Sequence, residues 1–355
     1  IYDSGNYPGM LEKVLAKIDY PAIKASSEKA KREGRAVGVG LGYFVETSGL
    51  GPWEYARVEV DPRGKVMVYV GCASVGQGVE TSLSQIAADA LSVNPEDVII
   101  VHGDTNLVPF GMGSNASRTT VMAGSAVFRA CEKVKERLFQ LAVGALEIDL
   151  GDLELANGRV TARGAPERSL GLVELARLAA PTSALKIGIQ PGISEFDFFP
   201  MTKRAYPYGV HVAQVEVDRE TGIVKILRYL VSEDIGRAVN PMLVEGQMVG
   251  GLAQGFGGAF LEEFAFSSDG QPLATSFMDY LLPTAMEVPH VETLSVEECR
   301  SPWNPLGVKG AGEGGIVAAG GAIANAVSDA LGMEVTRLPM KPEYVRELAL
   351  RGSKK

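Results

Sequence analysis

One carboxylate stands out because of the residues that surround it. Glu313 is the single acidic residue of a glycine-rich stretch, residues 305–315, that runs directly into an apolar segment, residues 316–331. Apolar residues recur in that segment at helical spacing, which predicts a buried helix behind a loop of almost bare backbone. A carboxylate fixed there should be poorly solvated, which would raise its pKa toward the range of a general base. We therefore expect Glu313 to accept a proton in a reaction.

Two other interpretations fit the same stretch. A packing loop whose glutamate only caps the following helix would show the same periodicity, and the pattern alone does not separate a cap from a base. The glycines at 310, 312 and 315 also fit the G-x-G-x-x-G pattern of a dinucleotide-binding protein. That pattern should follow a hydrophobic strand, which residues 303–309 do not resemble, and Glu313 would oppose the binding of a pyrophosphate. The dinucleotide interpretation is therefore the weakest of the three.

A second set of polar residues lies at glycine-rich helix starts or helix faces. Gln77 stands between Gly76 and Gly78, Gln254 lies within a glycine-rich helical segment, and residues 111–120 (GMGSNASRTT) precede a long apolar helical pattern. Backbone N–H groups and hydroxyls at a helix start bind anions such as phosphate, although an ordinary N-cap has the same residues. Together they predict a site for a large, flat, phosphate-bearing cofactor held by amide and hydroxyl hydrogen bonds.

The elements that must position these residues show an internal repeat. Residues 56–68 and residues 213–226 each read as a strand, a turn and a returning strand, and each copy leads to one of the two glutamines. The repeat predicts an α+β fold with two similar lobes of mixed sheet and packed helices. We place an N-terminal arm and helix at 1–35, the first lobe at 36–210 and the second lobe, with the Glu313 loop, at 211–355.

Four local patterns complete the predicted fold. Residues 10–31 have the apolar spacing of one helix, and residues 37–45 read as a buried strand whose glycines allow close approach of another backbone. Asn157-Gly158 between two alternating runs predicts a hairpin. Residues 181–209 are predicted to form a long irregular segment rich in aromatic residues.

Composition excludes several classes of protein. The 355 residues carry a net charge of -9 without a basic patch interleaved with aromatic residues, so we expect no nucleic acid partner. No apolar run reaches membrane-spanning length and no signal peptide is visible, which predicts no membrane span and a cytoplasmic location. The three cysteines and three histidines are scattered, so we expect neither an iron–sulfur cluster nor a metal bound by side chains.

Six short motifs, taken together, resemble one family. They are residues 2–7 (YDSGNY), 51–54 (GPWE), 76–81 (GQGVET), 102–105 (HGDT), 240–247 (NPMLVEGQ) and 304–313 (NPLGVKGAGE). The sequence resembles the C-terminal half of the molybdenum-binding large subunit of the xanthine oxidase, aldehyde oxidase and carbon monoxide dehydrogenase family. The resemblance covers nearly the whole chain.

The resemblance implies a function and a set of roles. Glu313 would be the catalytic base in the oxidative hydroxylation of a small molecule, with water as the oxygen source. Gln77 and Gln254 would bind molybdopterin, in its cytosine dinucleotide form, or the ligands of its molybdenum, and residues 116, 117 and 119 would hold the phosphate end. The implied cofactor-binding residues are Gly76, Gln77, Gly78, Ala116, Ser117, Arg118, Thr119, Gln254, Lys309 and Gly310. No side chain of this chain would bind the metal itself.

The resemblance also implies partners. Electrons would leave through an iron–sulfur subunit and an FAD subunit, which agrees with the lack of iron–sulfur or flavin motifs here. Family subunits carry a further N-terminal half with another cofactor segment and the loop that sets the substrate. We therefore expect this chain to be a fragment or one chain of a split subunit, acting on an aldehyde, an N-heterocycle or a substrate like carbon monoxide.

Two points separate this sequence from the simplest family assignment. The family's phosphate loop more often reads GTFGSRST, whereas Asn115, Ala116 and Thr119 stand here, a change that leaves phosphate binding plausible. A non-catalytic scaffold that kept the fold and lost the cofactor is the alternative function. The presence of both Gln77 and Glu313 argues against that alternative.

Overall fold

Alternating and helical apolar patterns divide the chain into short strands and helices, which the computed structural model describes for residues 1–352. The strands are β1 (Ala36–Val45), β2 (Trp53–Val60), β3 (Val66–Val70), β4 (Val98–Val101), β5 (Leu153–Ala156), β6 (Arg159–Ala162), β7 (Ala165–Gly171), β8 (Ser194–Pro200), β9 (Tyr208–Val217), β10 (Val224–Asp234) and β11 (Glu292–Val296). The helices are α1 (Tyr7–Lys17), α2 (Tyr20–Arg32), α3 (Val79–Leu91), α4 (Gly124–Leu146), α5 (Leu172–Leu178), α6 (Pro181–Ala184), α7 (Pro241–Phe256), α8 (Gly314–Val317), α9 (Ala319–Leu331) and α10 (Pro342–Gly352).

These elements form two units that are interleaved in the chain. The first unit comprises residues 1–47, residues 206–300 and the chain from residue 311 onward, and the second comprises residues 48–205 and 301–310. This division differs from the lobes predicted at 36–210 and 211–355. The reason is that β1 pairs with β9 along its whole length, so the residues that follow the N-terminal helices belong with the later part of the chain.

A four-stranded sheet in the order β1-β9-β10-β11 is the centre of the first unit. The pairs β1–β9 and β9–β10 are antiparallel, and β11 runs parallel to β10. Met10 and Val14 of α1, and Ile18 directly after it, are buried in one hydrophobic cluster with Val210 and Val212 of β9. A second cluster of buried apolar residues joins α7, α9 and α10 to β9 and β10, so helices cover the sheet on both faces.

Alternate glycines of β1 let α9 lie unusually close to the sheet. A Cβ atom at Gly38 or Gly40 would overlap the backbone of Ala326. One at Gly42 would come within 2.8 Å of the carbonyl oxygen of Ala318. Because successive even positions of a strand share one face, three glycines make a flat strip that admits a helix backbone. The close approach predicted for residues 37–45 is confirmed.

The second unit repeats the same arrangement around a sheet of order β4-β3-β2-β8. β2 is antiparallel to β3 and β8, while β4 runs parallel to β3. A small sheet of β5, β6 and β7 stands beside it. The predicted hairpin at Asn157-Gly158 joins β5 to β6, with both residues at positive φ (50° and 67°), as a tight two-residue turn requires.

The predicted internal repeat corresponds to a shared topology. In each unit a hairpin (β2–β3 or β9–β10) is followed by a helix (α3 or α7), and then by a strand parallel to the second hairpin strand. A further antiparallel strand, β8 or β1, pairs with the first hairpin strand. The α+β fold of two similar lobes with mixed sheets and packed helices is confirmed.

Two local predictions were wrong. The helix predicted over residues 10–31 is two helices, α1 and α2, separated at Asp19, whose φ is 53°. Pro21 at the start of α2 explains the break, because proline lacks the N–H group that a continuous helix would need. The irregular segment predicted over 181–209 contains β8, which pairs with β2 from Trp53↔Pro200 to Glu59↔Ser194.

One apolar stretch needs separate mention. Among residues 1–352, Gly314–Leu331 is long and apolar enough to cross a membrane by length and composition, so the sequence-based statement on apolar runs was too strict. Of this stretch, 56% is buried within the protein. Ile323 and Val327 of α9 are fully buried in the core of the first unit. Its apolar composition is therefore accounted for by packing.

Candidate functional site

The loop that carries Gln77 has a backbone that glycine alone adopts without strain. Gly76 and Gly78 have φ values of 100° and 79°, and a Cβ atom at Gly76 would meet no atom within 4 Å. The Gln77 amide bridges its own loop: its Oε1 accepts from Val75 N at 2.6 Å and its Nε2 donates to Ala73 O at 3.3 Å. The amide is thus held at the start of α3, beside open space.

The loop before α4 contains the most unusual backbone of the second unit. Ala116 and Ser117 are consecutive residues in the left-handed region, with φ of 47° and 48°. Residues other than glycine seldom adopt this backbone conformation, and those that do are concentrated at functional sites. A π-helical turn, Thr119–Ala123, then leads into α4. Successive backbone N–H groups in a turn at a helix start form a concavity that binds anions.

The side chain of Arg118 anchors this loop to the rest of the second unit. Its guanidinium is buried and forms an ion pair with Glu54 of β2, which is also buried. It also donates to three carbonyl oxygens, those of Leu50 at 2.6 Å, Gly113 at 2.8 Å and Trp53 at 2.8 Å. These bonds occupy the side chain, and the backbone N–H of Arg118 donates to Asn115 O at 3.1 Å, so Arg118 fixes the position of its neighbours in the loop. The anchoring role of Glu54 was not predicted, although residues 51–54 belong to a recognised motif.

Ser114 joins the two predicted cofactor loops. Its Oγ donates to Ala73 O at 2.6 Å and accepts from Ala73 N at 3.2 Å, and Thr119 Oγ1 donates to it at 3.2 Å. A Cβ atom at Gly71 would overlap the backbone of Gly111, so the two chain segments touch. The second unit therefore brings the Gln77 loop and the hydroxyl loop together, as a shared ligand would require. The sequence indicated Ser114 only as one member of the hydroxyl-rich loop, residues 111–120.

Lys309 and Gly310 lie against the same loop. A Cβ atom at Gly310 would overlap the carbonyl oxygen of Ser117, and Gly310 N donates to Ser48 Oγ at 3.0 Å. Lys309 is buried. The turn before them is braced by Asn304, whose side chain accepts from Val308 N at 3.1 Å and donates to Val308 O at 2.9 Å. Nine of the ten predicted cofactor residues thus belong to the second unit.

Glu313 and Gln254 belong to the first unit. Glu313 precedes α8 and is exposed, whereas Gly314 and Gly315 behind it are buried. The expectation of a poorly solvated Glu313 is therefore wrong. The two glycines after Glu313 face the core, whereas the carboxylate of Glu313 points away from it. Gln254 is exposed on α7.

Glycines bring α7 into close contact with α8 and with the start of α9. A Cβ atom at Gly251 would lie 3.0 Å from the Cα of Gly315. One at Gly255 would lie 2.5 Å from the Cβ of Ala319. Gln254 lies between these two contacts in the sequence of α7. This close packing, which the glycines allow, fixes the backbone that follows Glu313.

Two buried polar side chains support the Glu313 loop from the sheet. His211 of β9 is fully buried, with its Nδ1 2.9 Å from Tyr229 Oη and its Nε2 3.0 Å from the carbonyl oxygen of Gly314. Since a carbonyl can only accept, Nε2 carries the proton, and burial lowers the pKa of His211 to about 4. His211 is thus a hydrogen-bonded structural residue. The second side chain is Glu233 of β10, fully buried.

A comparison with protein families matches residues 13–289 to the molybdopterin cofactor-binding domain. The chain belongs to this family. The family resemblance drawn from the six motifs is confirmed.

The molybdopterin-binding chain has curated and structural relatives over nearly all of its length. It is 43% identical, over 97% of its residues, to the gamma subunit of the 6-hydroxypseudooxynicotine dehydrogenase complex of Paenarthrobacter nicotinovorans, of which it covers 44%. It is 34% identical, over 93% of its residues, to the carbon monoxide dehydrogenase large chain of Afipia carboxidovorans, of which it covers 42%. The crystal structure of quinoline 2-oxidoreductase from Pseudomonas putida 86 matches 98% of the chain, and 46% of its own, with a TM-score of 0.90 and 34% identity. The chain thus spans less than half the length of these relatives.

The residues of the second unit fit a molybdopterin cofactor. The consecutive left-handed residues Ala116 and Ser117 form a backbone turn of the kind that binds phosphate, and the glycine loop around Gln77 leaves room for a ligand at Gly76. Within residues 1–352 no group of three or more His, Cys, Asp or Glu side chains is arranged around a metal ion. The groups offered are hydrogen-bonding ones, which suits a metal carried by an organic cofactor. The dinucleotide-binding alternative requires a strand directly before the glycine pattern, and within residues 301–313 no strand precedes Gly310.

Proposed function

We propose that this protein is the cofactor-binding and base-bearing part of a molybdenum hydroxylase that oxidises a small molecule with oxygen taken from water. The observation that carries the proposal is the pair of loops joined by Ser114, one holding Gln77 and the other turning at Ala116 and Ser117. In a member of the molybdopterin-binding family, these loops offer the neutral amide, hydroxyl and backbone N–H donors that a phosphate-bearing cofactor needs.

The proposed cofactor contacts follow from the chemistry of each group. Backbone N–H groups at Ala116 and Ser117, with the hydroxyl of Thr119, bind the phosphate end of the cytosine dinucleotide form of molybdopterin. Gln77 and Gln254 supply neutral hydrogen bonds, which orient a polar ligand without adding charge beside an anionic one. Gly76, Gly78, Lys309 and Gly310 shape the backbone around it. When bound, the molybdenum cofactor supplies the two-electron oxidation.

Glu313 is the proposed general base. It takes up the proton that the water-derived oxygen loses as this oxygen bonds to the substrate carbon. Its side chain is exposed in this structure, and its glycine neighbours at 312 and 314 add no side chains that would block a substrate. The packed glycines of α7 and α8 hold the backbone behind it, so that the carboxylate is presented from a fixed support.

The proposed context is a complex in the cytoplasm. The other half of the molybdenum subunit completes the site, and electrons pass to an iron–sulfur subunit and an FAD subunit, with no such group in this chain. The proposed substrate is an aldehyde, an N-heterocycle or a molecule like carbon monoxide. The names of the relatives support this range, since they refer to hydroxypseudooxynicotine, carbon monoxide and quinoline.

Cofactor analysis of the complex purified from its native source tests the proposal. We expect molybdenum and pterin in equimolar amounts with the chain, and a cytosine nucleotide released when the protein is hydrolysed in acid. A complete complex that contains neither molybdenum nor pterin would instead support the non-catalytic scaffold. A guanine nucleotide, or none, in the presence of molybdenum would refute the cytosine form alone.

A further inference from the structure

A carboxyl group without a partner lies in the core of the first unit. Glu233, near the end of β10, has 0% exposure, and neither of its carboxyl oxygens has a hydrogen-bond partner among residues 1–352. Transfer of an ionised carboxylate from water to such a place is strongly unfavourable unless a cation or several donors compensate it. The neutral acid is therefore the favoured form of this side chain.

The carboxyl group of Glu233 touches the loop that carries the proposed base. A Cβ atom at Gly314 would overlap both of its carboxyl oxygens, so the group packs directly on the Cα of the residue after Glu313. From the neighbouring strand β9, His211 Nε2 donates to Gly314 O at 3.0 Å. Side chains on two adjacent central strands thus fix Gly314 together.

The charges that face Glu233 are negative. Glu46 follows β1, and Asp234 is the next residue of β10. Burial, followed by the charges of Glu46 and Asp234, raises the pKa of Glu233 well above its usual range. His211 faces the same peptide as a neutral group, and from α7 the carbonyl oxygen of Met248 lies close to Gly315. An ionised Glu233 would gain no attraction from any of these groups.

We infer that Glu233 is a positioning residue, kept as the neutral acid, that fixes Gly314 and thereby the direction in which Glu313 leaves the loop. Its shape fills the space beneath Gly314, and its neutrality avoids a second negative charge beside the base. The inference rests on the proposed role of Glu313 only where it concerns turnover. The protonation of Glu233 can be measured independently of that role.

The pH dependence of stability gives the first test, with Glu233→Gln as the variant. The unfolded chain ionises Glu233 near its ordinary pKa of 4.5, whereas the folded chain keeps the proton to higher pH. The folded state then binds more protons, so this residue makes the wild type progressively less stable as pH rises above about 4.5. Glutamine does not titrate. We expect the melting temperature of the variant, relative to the wild type in the same complex, to increase from pH 4.5 toward neutral pH.

Glu216→Gln is the matched control for this measurement. Glu216 lies on β9 and pairs with Arg35 at 2.7 Å, and this hydrogen bond lowers the pKa of Glu216. The stabilising contribution of Glu216 is fully present above its ordinary pKa of 4.5 and is lost only as pH falls below that value, so the relative melting temperature of Glu216→Gln should stay nearly constant from pH 4.5 toward neutral pH. A relative melting temperature of Glu233→Gln that stays constant or decreases with rising pH would overturn the inference.

Infrared spectroscopy of the same complex gives a second readout. We expect the carbonyl stretching band of a protonated carboxylic acid at neutral pH in the wild type and in Glu216→Gln. The band should be missing in Glu233→Gln. A spectrum in which the wild type and Glu233→Gln do not differ in this band would show that Glu233 is ionised, and the inference would fail.

Turnover at equal molybdenum content tests the positioning role. Removal of the carboxyl group in Glu233→Ala should let Gly314 shift, and a misplaced catalytic group costs about 10-fold to 100-fold in rate. We expect this loss in kcat with little change in KM, and Glu233→Gln, which keeps the shape, should recover most of it. Equal kcat in the alanine variant and the wild type would refute positioning. If Glu313 is not the base, turnover does not report on its position. The infrared and melting results then still decide whether Glu233 is protonated.

Discussion

Glu313 has the two properties that a general base needs, access and a fixed support. Its carboxylate is exposed, and the residues directly behind it pack on α7, on His211 and on Glu233. A helix-capping glutamate would share the position at the start of α8 but would not need to reach a substrate. The two roles differ in what happens when the carboxylate becomes an amide of the same shape.

Glu313→Gln should keep the fold and the molybdenum content of the assembled enzyme while it lowers turnover about 10²-fold to 10⁴-fold, the usual contribution of a positioned base. The measurement is the single-turnover reduction of the metal centre by substrate, compared at equal molybdenum content. Glu343→Gln is the matched control, because Glu343 is an exposed glutamate in the first turn of α10. Equal rates in Glu313→Gln and the wild type would remove Glu313 from the mechanism.

The side-chain amide of Gln77 forms hydrogen bonds with Val75 and Ala73 of its own loop. A bound cofactor would exchange or extend these bonds, so Gln77→Ala should remove contacts of about 1 to 3 kcal/mol and lower the cofactor content of the purified complex. Gln140→Ala, an exposed glutamine on α4, should leave the content unchanged. Molybdenum content and turnover that stay at wild-type values in Gln77→Ala would show that the assignment is wrong.

At the scale of elements, the contact between β1 and α9 depends on the absence of side chains. Gly40→Ala would place a methyl group on the backbone of Ala322 and Ala326, which cannot move aside as a flexible side chain could. We expect about 1 to 3 kcal/mol of lost stability, the usual cost of overpacking. Gly321→Ala is the control, because a Cβ atom at this position of α9 meets nothing within 4 Å. It should stabilise by about 0.5 to 1 kcal/mol through helix propensity, and denaturant unfolding that gave both variants the same sign would contradict this packing.

The elements also show which features a sequence can predict. The hairpins β2–β3 and β9–β10 were predictable because alternation and turn residues are local signals. β8 was not, because its partner β2 lies far away in the sequence and supplies the pairing that Phe196 and Phe198 alone do not indicate. Glu233 was missed for a related reason. Nothing in the run of residues 231–234 indicates that Glu233 is buried without a hydrogen-bond partner, because the group it packs on, Gly314, lies far away in the sequence.

At the scale of the molecule, several large apolar side chains of the first unit have no cover among residues 1–352. Phe277, Met278 and Met286 are 80%, 89% and 89% exposed. Exposed apolar groups that cluster in one segment are typical of an interaction surface. The relatives of this chain are more than twice as long as the part that it matches, so their remaining length offers a natural cover for such residues.

We therefore expect that residues 1–355 expressed alone do not retain the cofactor. The loops of the second unit would bind one side of it and leave its other polar groups in water, where they gain little net free energy from protein contacts. The measurement is the molybdenum and pterin content of this segment, compared with the same segment produced together with a chain that matches the rest of its relatives. A complete family enzyme made in the same host is the control for cofactor supply. Tight, stoichiometric molybdenum in the segment alone would contradict the expectation, because it would mean that these two units already enclose what the cofactor requires.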